Sequence, residues 1–287
     1  MLVFLVFCGV VSSFYGFVFC KFAGGVVLFL FFGSFALGFC ERVISGCWHI
    51  VCDVKVVSPT RRFDFGRELL KIVAIVTMVV DHVGHILYPD LLFLQIIGRL
   101  AFPIFAYLIV LGVESTKKPV KYMMTLFVFA VISQVPYYLA FAIQPFERLN
   151  ILFSLLLCAI TIYFYNKRSA IAFVPLLLSL VFPFEGSYYV VVTAVGMKLL
   201  KDNWKLGALL LVALNIQFPF ITSDVFSQIQ ILALLAVPLI FLHIKNKLTK
   251  EIIIPENSLA YLARKYFFYV FYPLHLTLLF LISTTVL

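Results

Sequence analysis

The sequence predicts an all-α fold: a polytopic transmembrane helix bundle with about nine core spans and about two further helices at the N-terminus. Three observations lead to this class. Mean hydropathy is +1.12, 64% of the residues are apolar, and only 12% are charged. Apolar runs of about 17 to 25 residues, the length of a membrane span, recur along the whole chain. No long polar segment separates them, which leaves no room for a soluble domain.

The individual spans follow from these runs in chain order. Two lie in an N-terminal hydrophobic extension over residues 1–60, and nine lie in a membrane domain over residues 61–287. The N-terminal spans are predicted at residues 2–20 and 22–40. The core spans are predicted at residues 69–88, 91–112, 122–143, 149–165, 170–182, 188–200, 206–221, 226–242 and 266–287.

Charge in the loops predicts the orientation. From residue 59 onward every second loop is basic, and these loops hold 17 lysines and arginines, whereas the intervening loops hold only Arg148. Basic loops face the cytoplasm, so the C-terminus at Leu287 is predicted to be external. The net charge of +9 therefore belongs to helix flanks beside the lipid bilayer, and no nucleic-acid partner is expected.

Ionisable residues inside the predicted spans indicate the functional site. Asp81, His82 and His85 end one core span, and Arg99 lies in the next. At about 1.5 Å per residue, His82 lies roughly 20 Å above the basic end of its helix, and Arg99 lies roughly 12 Å below the opposite end. In a core of about 30 Å these depths nearly coincide, and His275 lies somewhat nearer the middle. Because charges inside a membrane are costly, this polar cluster is predicted to be functional.

Other interpretations remain open for the same residues. Arg99 could be a structural partner of Asp81 or Glu185, and the histidines could be packing residues. A zinc site could be built from Asp81, His82, His85 and His275. A secondary transporter also groups polar residues at mid-depth and breaks helices at prolines, although the chain has no self-similar halves.

Five segments of the chain resemble the TraX family of integral-membrane proteins. They are LLKIVAIVTMVVDHVGHILYP, IGRLAFPIFAYLIVLGVE, ISQVPYYLAF, NILFSLLL and FYPLHLTLLF, and they follow the family's order from about residue 65 to the C-terminus. The resemblance implies an acetyltransferase that uses acetyl-CoA to acetylate the amino terminus of conjugative pilin. Matched to the family's motifs, the implied site residues are Asp81, His82, Arg99, Asn150 and His275.

Acyl transfer assigns chemical roles to these residues. His82 is the predicted general base, and Asp81 or another carboxylate is predicted to orient or tune it. Arg99 is predicted to stabilise the oxyanion or to bind a carboxyl group of the acceptor. Coenzyme A carries phosphates, which makes exposed lysines candidates for docking it. The acetyl group could move directly, or through a covalent relay from a deeper His275 to His82. The acceptor is predicted to be pilin or another exported molecule, with O-acetylation of a cell-surface glycan as the alternative, and no metal is expected. The candidate lysines are Lys117, Lys118 and Lys121.

Overall fold

A computed structural model describes the backbone of residues 15–22, 25–32, 60–221, 228–245, 251–255 and 259–286. Its side chains are described for residues 64–218, 220, 228–245 and 266–285. The chain divides into two compact units. One contains residues 1–62 and 253–262, and the other contains residues 63–252 and 263–287.

The N-terminal extension contains an antiparallel hairpin. Strand β1 (Tyr15–Phe22) pairs with β2 (Gly25–Phe32), in a register that runs from Tyr15 opposite Phe32 to Phe22 opposite Gly25. The helices predicted over residues 2–20 and 22–40 are therefore wrong where this hairpin lies. Both strands are rich in phenylalanine and valine, which favour strands, and periodicity cannot separate a short apolar strand from a buried helix. The remainder of residues 1–59 lies outside the described part of the chain.

Helices occupy each of the predicted core spans. In chain order they are α1 (Phe65–Ile86), α2 (Leu92–Gly98), α3 (Ala101–Ser115), α4 (Pro119–Phe141), α5 (Ile151–Asn166), α6 (Val174–Val181), α7 (Ser187–Asp202), α8 (Trp204–Ile216), α9 (Phe218–Ile221), α10 (Ala236–Ile244) and α11 (Leu259–Val286). Short 3₁₀ helices, Ala170–Phe173 and Ile229–Leu235, precede α6 and α10. Strands β3 (Thr60–Asp64) and β4 (Glu251–Pro255) form a second two-stranded sheet.

Four of the described helical segments are long and apolar enough to cross a membrane. They are α1, the pair α2 and α3 taken together, α4, and Tyr266–Thr285 of α11. Large apolar side chains lie exposed on these helices at helical spacing, for example Ile72 and Val76 on α1 and Leu274 and Leu278 on α11. Such surfaces are suited to lipid. A membrane protein is thus supported, whereas a count of nine core spans stays a prediction, because the remaining apolar helices are shorter.

Helix α3 lies at the centre of the packed core. Most of its side chains are buried, and it packs against α1, α5, α7 and α10. Arg99 and Leu100 form a turn with right-handed helical dihedrals between the two helices, so Arg99 lies at the junction between α2 and α3. Just before this junction, a Cβ built on Gly98 would lie 2.0 Å from Oδ1 of Asp81. Glycine therefore permits the close approach of α2 to α1 that brings Arg99 to Asp81.

Helix α1 positions His82 through its N-terminal cap and through the buried residues along one of its faces. Oδ1 of Asp64 accepts a hydrogen bond from the Gly66 amide at 2.9 Å, which satisfies a backbone donor at the start of the helix. Leu70, Ala74, Met78 and His82 follow on one face, four residues apart, and all four are buried. The spacing that buries the apolar side chains therefore also directs His82 into the bundle.

Candidate functional site

Two histidines from opposite ends of the sequence meet inside the bundle. Nδ1 of His82 on α1 lies 2.8 Å from Nε2 of His275 on α11, and both side chains are buried. The two rings are nearly parallel, with an interplanar angle of 7° and centroids 5.0 Å apart. Phe141 contacts the His82 ring edge-on at 5.4 Å, and Tyr272 contacts both imidazoles. Aromatic walls therefore hold the pair in one orientation.

The hydrogen bonds of this pair determine where its protons lie when both rings are neutral. Nδ1 of His275 is 3.0 Å from the Phe271 carbonyl, which can only accept, so this nitrogen carries a proton. Nε2 of His275 is then the acceptor, and Nδ1 of His82 donates to it. Neutral His82 consequently keeps its lone pair on Nε2, and no hydrogen bond among the described residues uses that atom. A general base needs such a lone pair.

Arg99 is held by three polar partners. Its Nη2 donates to Oδ1 of Asp81 at 3.3 Å, its Nη1 donates to Oε1 of Gln230 at 3.1 Å, and its Nε donates to the Gln95 carbonyl at 3.3 Å. A guanidinium has five N–H groups, so these bonds leave two that no described residue uses. The structural pairing of Arg99 with Asp81 considered from the sequence is thus confirmed, and the cation keeps donors for a further ligand.

Asp81 does not orient His82, contrary to one expectation from the sequence. Its carboxylate contacts Arg99 and lies 3.6 Å from Nδ1 of His85, whereas His82 is bonded to His275. Consecutive residues of a helix point about 100° apart, because 3.6 residues make one turn. Asp81 and His82 therefore belong to neighbouring faces of α1, and the partner that orients the histidine is the second imidazole.

Asn150 is a helix cap with a full set of hydrogen bonds. Its Oδ1 accepts from the Leu152 amide at 3.0 Å, and its Nδ2 donates to the Ala130 carbonyl at 2.8 Å and to Oε1 of Gln134 at 2.6 Å. The side chain is fully buried. These contacts give Asn150 a structural task, joining α4 to the start of α5, and its proposed place in catalysis stays a prediction.

Glu185 lies in the loop that joins α6 to α7, near enough to Asp81 and Arg148 to interact with their charges. Burial raises the pKa of its carboxyl to about 7, the nearby Asp81 carboxylate acts in the same direction, and the Arg148 guanidinium opposes both effects. This environment favours the protonated carboxyl more than water does. The sequence pointed to this residue as a possible partner of Arg99.

A second series of hydrogen-bonded polar side chains lies elsewhere in the bundle. The Tyr107 hydroxyl lies 2.9 Å from Nδ1 of His243, whose Nε2 lies 2.6 Å from Oδ2 of Asp64. Each of these groups has a partner, and Asp64 also caps α1. His243 has no role predicted from the sequence, because a single histidine near the end of an apolar helix gives no indication of its hydrogen-bond partners.

The predicted donor lysines lie at the connection between α3 and α4. Lys117, Lys118 and Lys121 are all exposed. A cavity of about 940 Å³ opens elsewhere, between α5, α6 and α7, and its lining includes Arg168 and Lys198 but no residue of the predicted site. Lys198 is paired with Glu114 and Asp202, which shields its charge from an incoming anion.

The four residues of the alternative zinc site form two separate pairs. His82 contacts His275, and Asp81 contacts His85. Across the described part of the chain, no three histidine, cysteine, aspartate or glutamate side chains converge as metal ligands. The geometry therefore favours hydrogen-bond chemistry over coordination at this cluster.

Comparison with known proteins identifies the family. A family model described as TraX protein matches residues 66–283, well over half of the chain. The chain belongs to the TraX family. The matched region contains both histidines of the buried pair, together with Asp81, Arg99, Asn150 and Glu185.

Individual relatives agree with this membership. The chain is 33% identical over 156 residues to Protein TraX of Escherichia coli K12, an alignment that covers 51% of this chain and 61% of that protein. It is 34% identical over 101 residues to an uncharacterized protein of Rickettsia prowazekii, covering 35% and 38% of the two chains. It is 26% identical over 250 residues to a probable fimbrial assembly protein, FimC, of Dichelobacter nodosus, covering 77% and 96%. The first two relatives are thus matched over less than two thirds of their length. No solved structure matches the chain.

Proposed function

We propose that this TraX-family chain is a membrane acetyltransferase that moves the acetyl group of acetyl-CoA to an amine or hydroxyl of an exported acceptor. The observation that carries the proposal is the buried His82–His275 pair, whose hydrogen bonds leave a lone pair on Nε2 of His82. On the adjoining face of α1, Asp81 holds Arg99 with two of its N–H groups unused. A base and a cation with spare donors are the two groups that acyl transfer requires.

The proposed reaction is a direct displacement at the thioester. The acceptor nitrogen or oxygen attacks the acetyl carbonyl, its proton passes to Nε2 of His82, and the carbon–sulfur bond breaks. His82 then returns the proton to the departing CoA thiolate, and the acetylated acceptor leaves. The spare N–H groups of Arg99 stabilise the negative oxygen that forms in between. His275 acts as a positioning residue, because it orients His82 and stabilises the imidazolium.

The contact between the histidines bears on the alternative of a covalent relay. A relay from a deeper His275 to a shallower His82 requires the two rings to lie at different depths, yet their nitrogens are 2.8 Å apart. Passing an acetyl group between adjacent nitrogens carries it almost no distance across the membrane. Direct transfer is therefore the route we propose.

The donor is proposed to arrive from the cytoplasmic side. In this scheme the phosphates of coenzyme A bind to the exposed Lys117, Lys118 and Lys121. Their ammonium groups lie at one helix connection and form a compact, positively charged docking point for an anion. The same orientation places the C-terminus outside the bacterial inner membrane. Reporter fusions after Lys118 and Leu287 test it, with a cytoplasmic signal expected at the first site and an external signal at the second.

The proposed acceptor is the amino terminus of a pilin. A relative from Dichelobacter nodosus, aligned over 77% of this chain, is named a probable fimbrial assembly protein, which favours a fibre subunit over a glycan. The test is mass spectrometry of envelope proteins and glycans from cells that make the wild-type chain or the His82→Ala variant at equal membrane levels. Acetylated amino termini that depend on His82 support the proposal. Acetylated glycans that depend on His82 identify the glycan as acceptor instead, and equal acetylation in both strains contradicts an acetyltransferase.

A further inference from the structure

Glu185 is held rigidly by its own backbone. Its amide donates to the Leu149 carbonyl at 3.0 Å, and its carbonyl accepts from the Ser154 hydroxyl at 2.7 Å. The preceding residues form a bridge in which the Leu149 amide donates to the Pro183 carbonyl at 2.9 Å. This loop is consequently fixed against the start of α5, and the direction of the Glu185 side chain is set before any ligand arrives.

Two buried oxygens beside this loop have no hydrogen-bond partner among the described residues. They are Oε2 of Glu185 and the hydroxyl oxygen of Tyr272. Tyr272 is fully buried, and the Ile151 amide at the start of α5 acts on the electrostatics of both the Glu185 and the Tyr272 side chains. A buried polar atom without a partner costs roughly 1–3 kcal/mol, so two such atoms near one amide indicate a place where a ligand supplies the missing bonds.

One oxygen of the Glu185 carboxylate, Oε2, is without a partner among the described residues. Tyr137 faces the carboxyl, and the Arg148 guanidinium lies near it. No ion pair within 4.0 Å joins Glu185 to any of the described cations, however, and the nearby Asp81 carboxylate is already bonded to Arg99. The carboxylate oxygen accepts, and the tyrosine hydroxyl can accept as well as donate, so a donor with several N–H bonds satisfies both.

Tyr272 connects this position with the histidine pair. Its ring contacts His82 at a centroid distance of 6.3 Å and His275 at 5.5 Å. The Tyr272 ring therefore belongs to the wall of the histidine pair and also carries one of the two unpartnered oxygens. The unpartnered oxygens thus lie in the neighbourhood of the base and apart from the exposed lysines of the α3–α4 connection.

We infer that Glu185, together with the Tyr272 hydroxyl, forms a binding subsite for the ammonium group at the end of an acceptor peptide, beside the histidine pair. The inference rests on the proposed acetyl transfer and names the acceptor class as a primary amine. An ammonium carries three donors, which suit two orphaned oxygens, and its charge matches a carboxylate. For reaction, the ammonium gives one proton to Glu185, and the resulting neutral amine moves from the subsite to the acetyl carbonyl, where it gives a second proton to Nε2 of His82 as it attacks. Glu185 releases its proton to water, and His82 protonates the CoA thiolate.

A binding experiment without acetyl-CoA tests the subsite separately from catalysis. The probes are a short peptide with a free amino terminus and the same peptide with a hydroxyl in place of the amine, titrated into the purified full chain. We expect the amine peptide to bind the wild-type protein at least about 10-fold more tightly than the hydroxyl peptide. Glu185→Gln should weaken binding of the amine peptide by about 10- to 100-fold and leave the hydroxyl peptide unaffected. Glu147→Gln is the matched control, because Glu147 is an exposed glutamate of the neighbouring loop.

Tyr272→Phe separates ligand binding from folding. Because the hydroxyl has no partner in the described structure, removing it should leave the melting temperature unchanged or raise it, while binding of the amine peptide weakens. A lowered melting temperature with unchanged binding overturns the assignment of Tyr272. Equal affinity of Glu185→Gln and wild type for the amine peptide overturns the subsite.

The two proposals fail in different ways. Binding that depends on Glu185, without any acetyl transfer, leaves the ammonium subsite standing and refutes the acetyltransferase. Acetyl transfer to the amine peptide that is unchanged in KM and kcat by Glu185→Gln leaves the enzyme standing and refutes the subsite.

Discussion

If His275 acts only through His82, removing both histidines should cost no more than removing His82 alone. His82→Ala removes the proposed base, and loss of a general base typically lowers kcat by about 100- to 10,000-fold. His275→Ala removes the 2.8 Å bond that fixes the His82 tautomer. A buried hydrogen bond contributes about 1–3 kcal/mol, so this loss corresponds to roughly 5- to 150-fold in kcat.

The double variant distinguishes the two roles. Independent contributions would multiply, giving a combined loss of about 500- to 1,000,000-fold, whereas a residue that acts through His82 adds nothing once His82 is gone. We therefore expect the double variant to match His82→Ala within about 3-fold, a coupling of roughly 1–3 kcal/mol. His275→Gln should retain more activity than His275→Ala, because an amide oxygen can still accept from Nδ1 of His82.

The assay is initial-rate acetyl transfer from labelled acetyl-CoA by purified protein, normalised to the amount of folded chain. Thr277→Ala is the control on the same helix, because Thr277 is exposed and should keep full activity. A loss in His275→Ala that exceeds the loss in His82→Ala, or multiplicative losses in the double variant, would refute the assignment of His82 as base and His275 as its partner.

Three further predictions concern the groups around the histidine pair. Gly98→Ala should lower activity at least 10-fold and the free energy of unfolding by about 1–3 kcal/mol, because the added methyl group would overlap Asp81 and separate that residue from Arg99. Enzyme kinetics check the first effect, and thermal melting checks the second. Arg99→Lys should lose about 100-fold or more in kcat, since one ammonium cannot replace a fork that donates from three nitrogens, and near-normal turnover would show that charge alone suffices. Asn150→Ala should lower the melting temperature, because it removes a helix cap worth about 1 kcal/mol and a hydrogen bond to Gln134. The kcat of the folded fraction should change little. A large fall in kcat at normal stability would mean that Asn150 is catalytic.

The sequence predicted the core helices well because lipid imposes a strong rule. A chain inside the membrane must satisfy its backbone bonds within a helix, so apolar length alone locates the segments of the membrane domain. The same rule failed at the N-terminus, where Tyr15–Phe22 and Gly25–Phe32 form a hairpin, since apolar runs of eight residues suit strands as well as helices.

The site was predicted in part, for a similar reason. Depth along a helix follows from residue counting, and this placed His82, Arg99 and His275 near one level. Rotation about the helix axis and the choice of partner depend on tertiary packing, so counting could not show that Asp81 faces Arg99 while His82 faces His275. The importance of Glu185 was not predicted, because a glutamate in a loop shows no sign of burial in the sequence. The bridge between Leu149 and Phe184 holds its loop against the start of α5.

Transfer of labelled acetyl from acetyl-CoA to a peptide with a free amino terminus, catalysed by the purified full chain, tests the central claim most directly. The account predicts that the label appears on the peptide's amino nitrogen with wild-type protein and that the rate falls by about 100- to 10,000-fold with His82→Ala, while both proteins are folded and inserted equally well. Transfer at equal rates by the two proteins, or no transfer by wild-type protein to amine or hydroxyl acceptors alike, would contradict it.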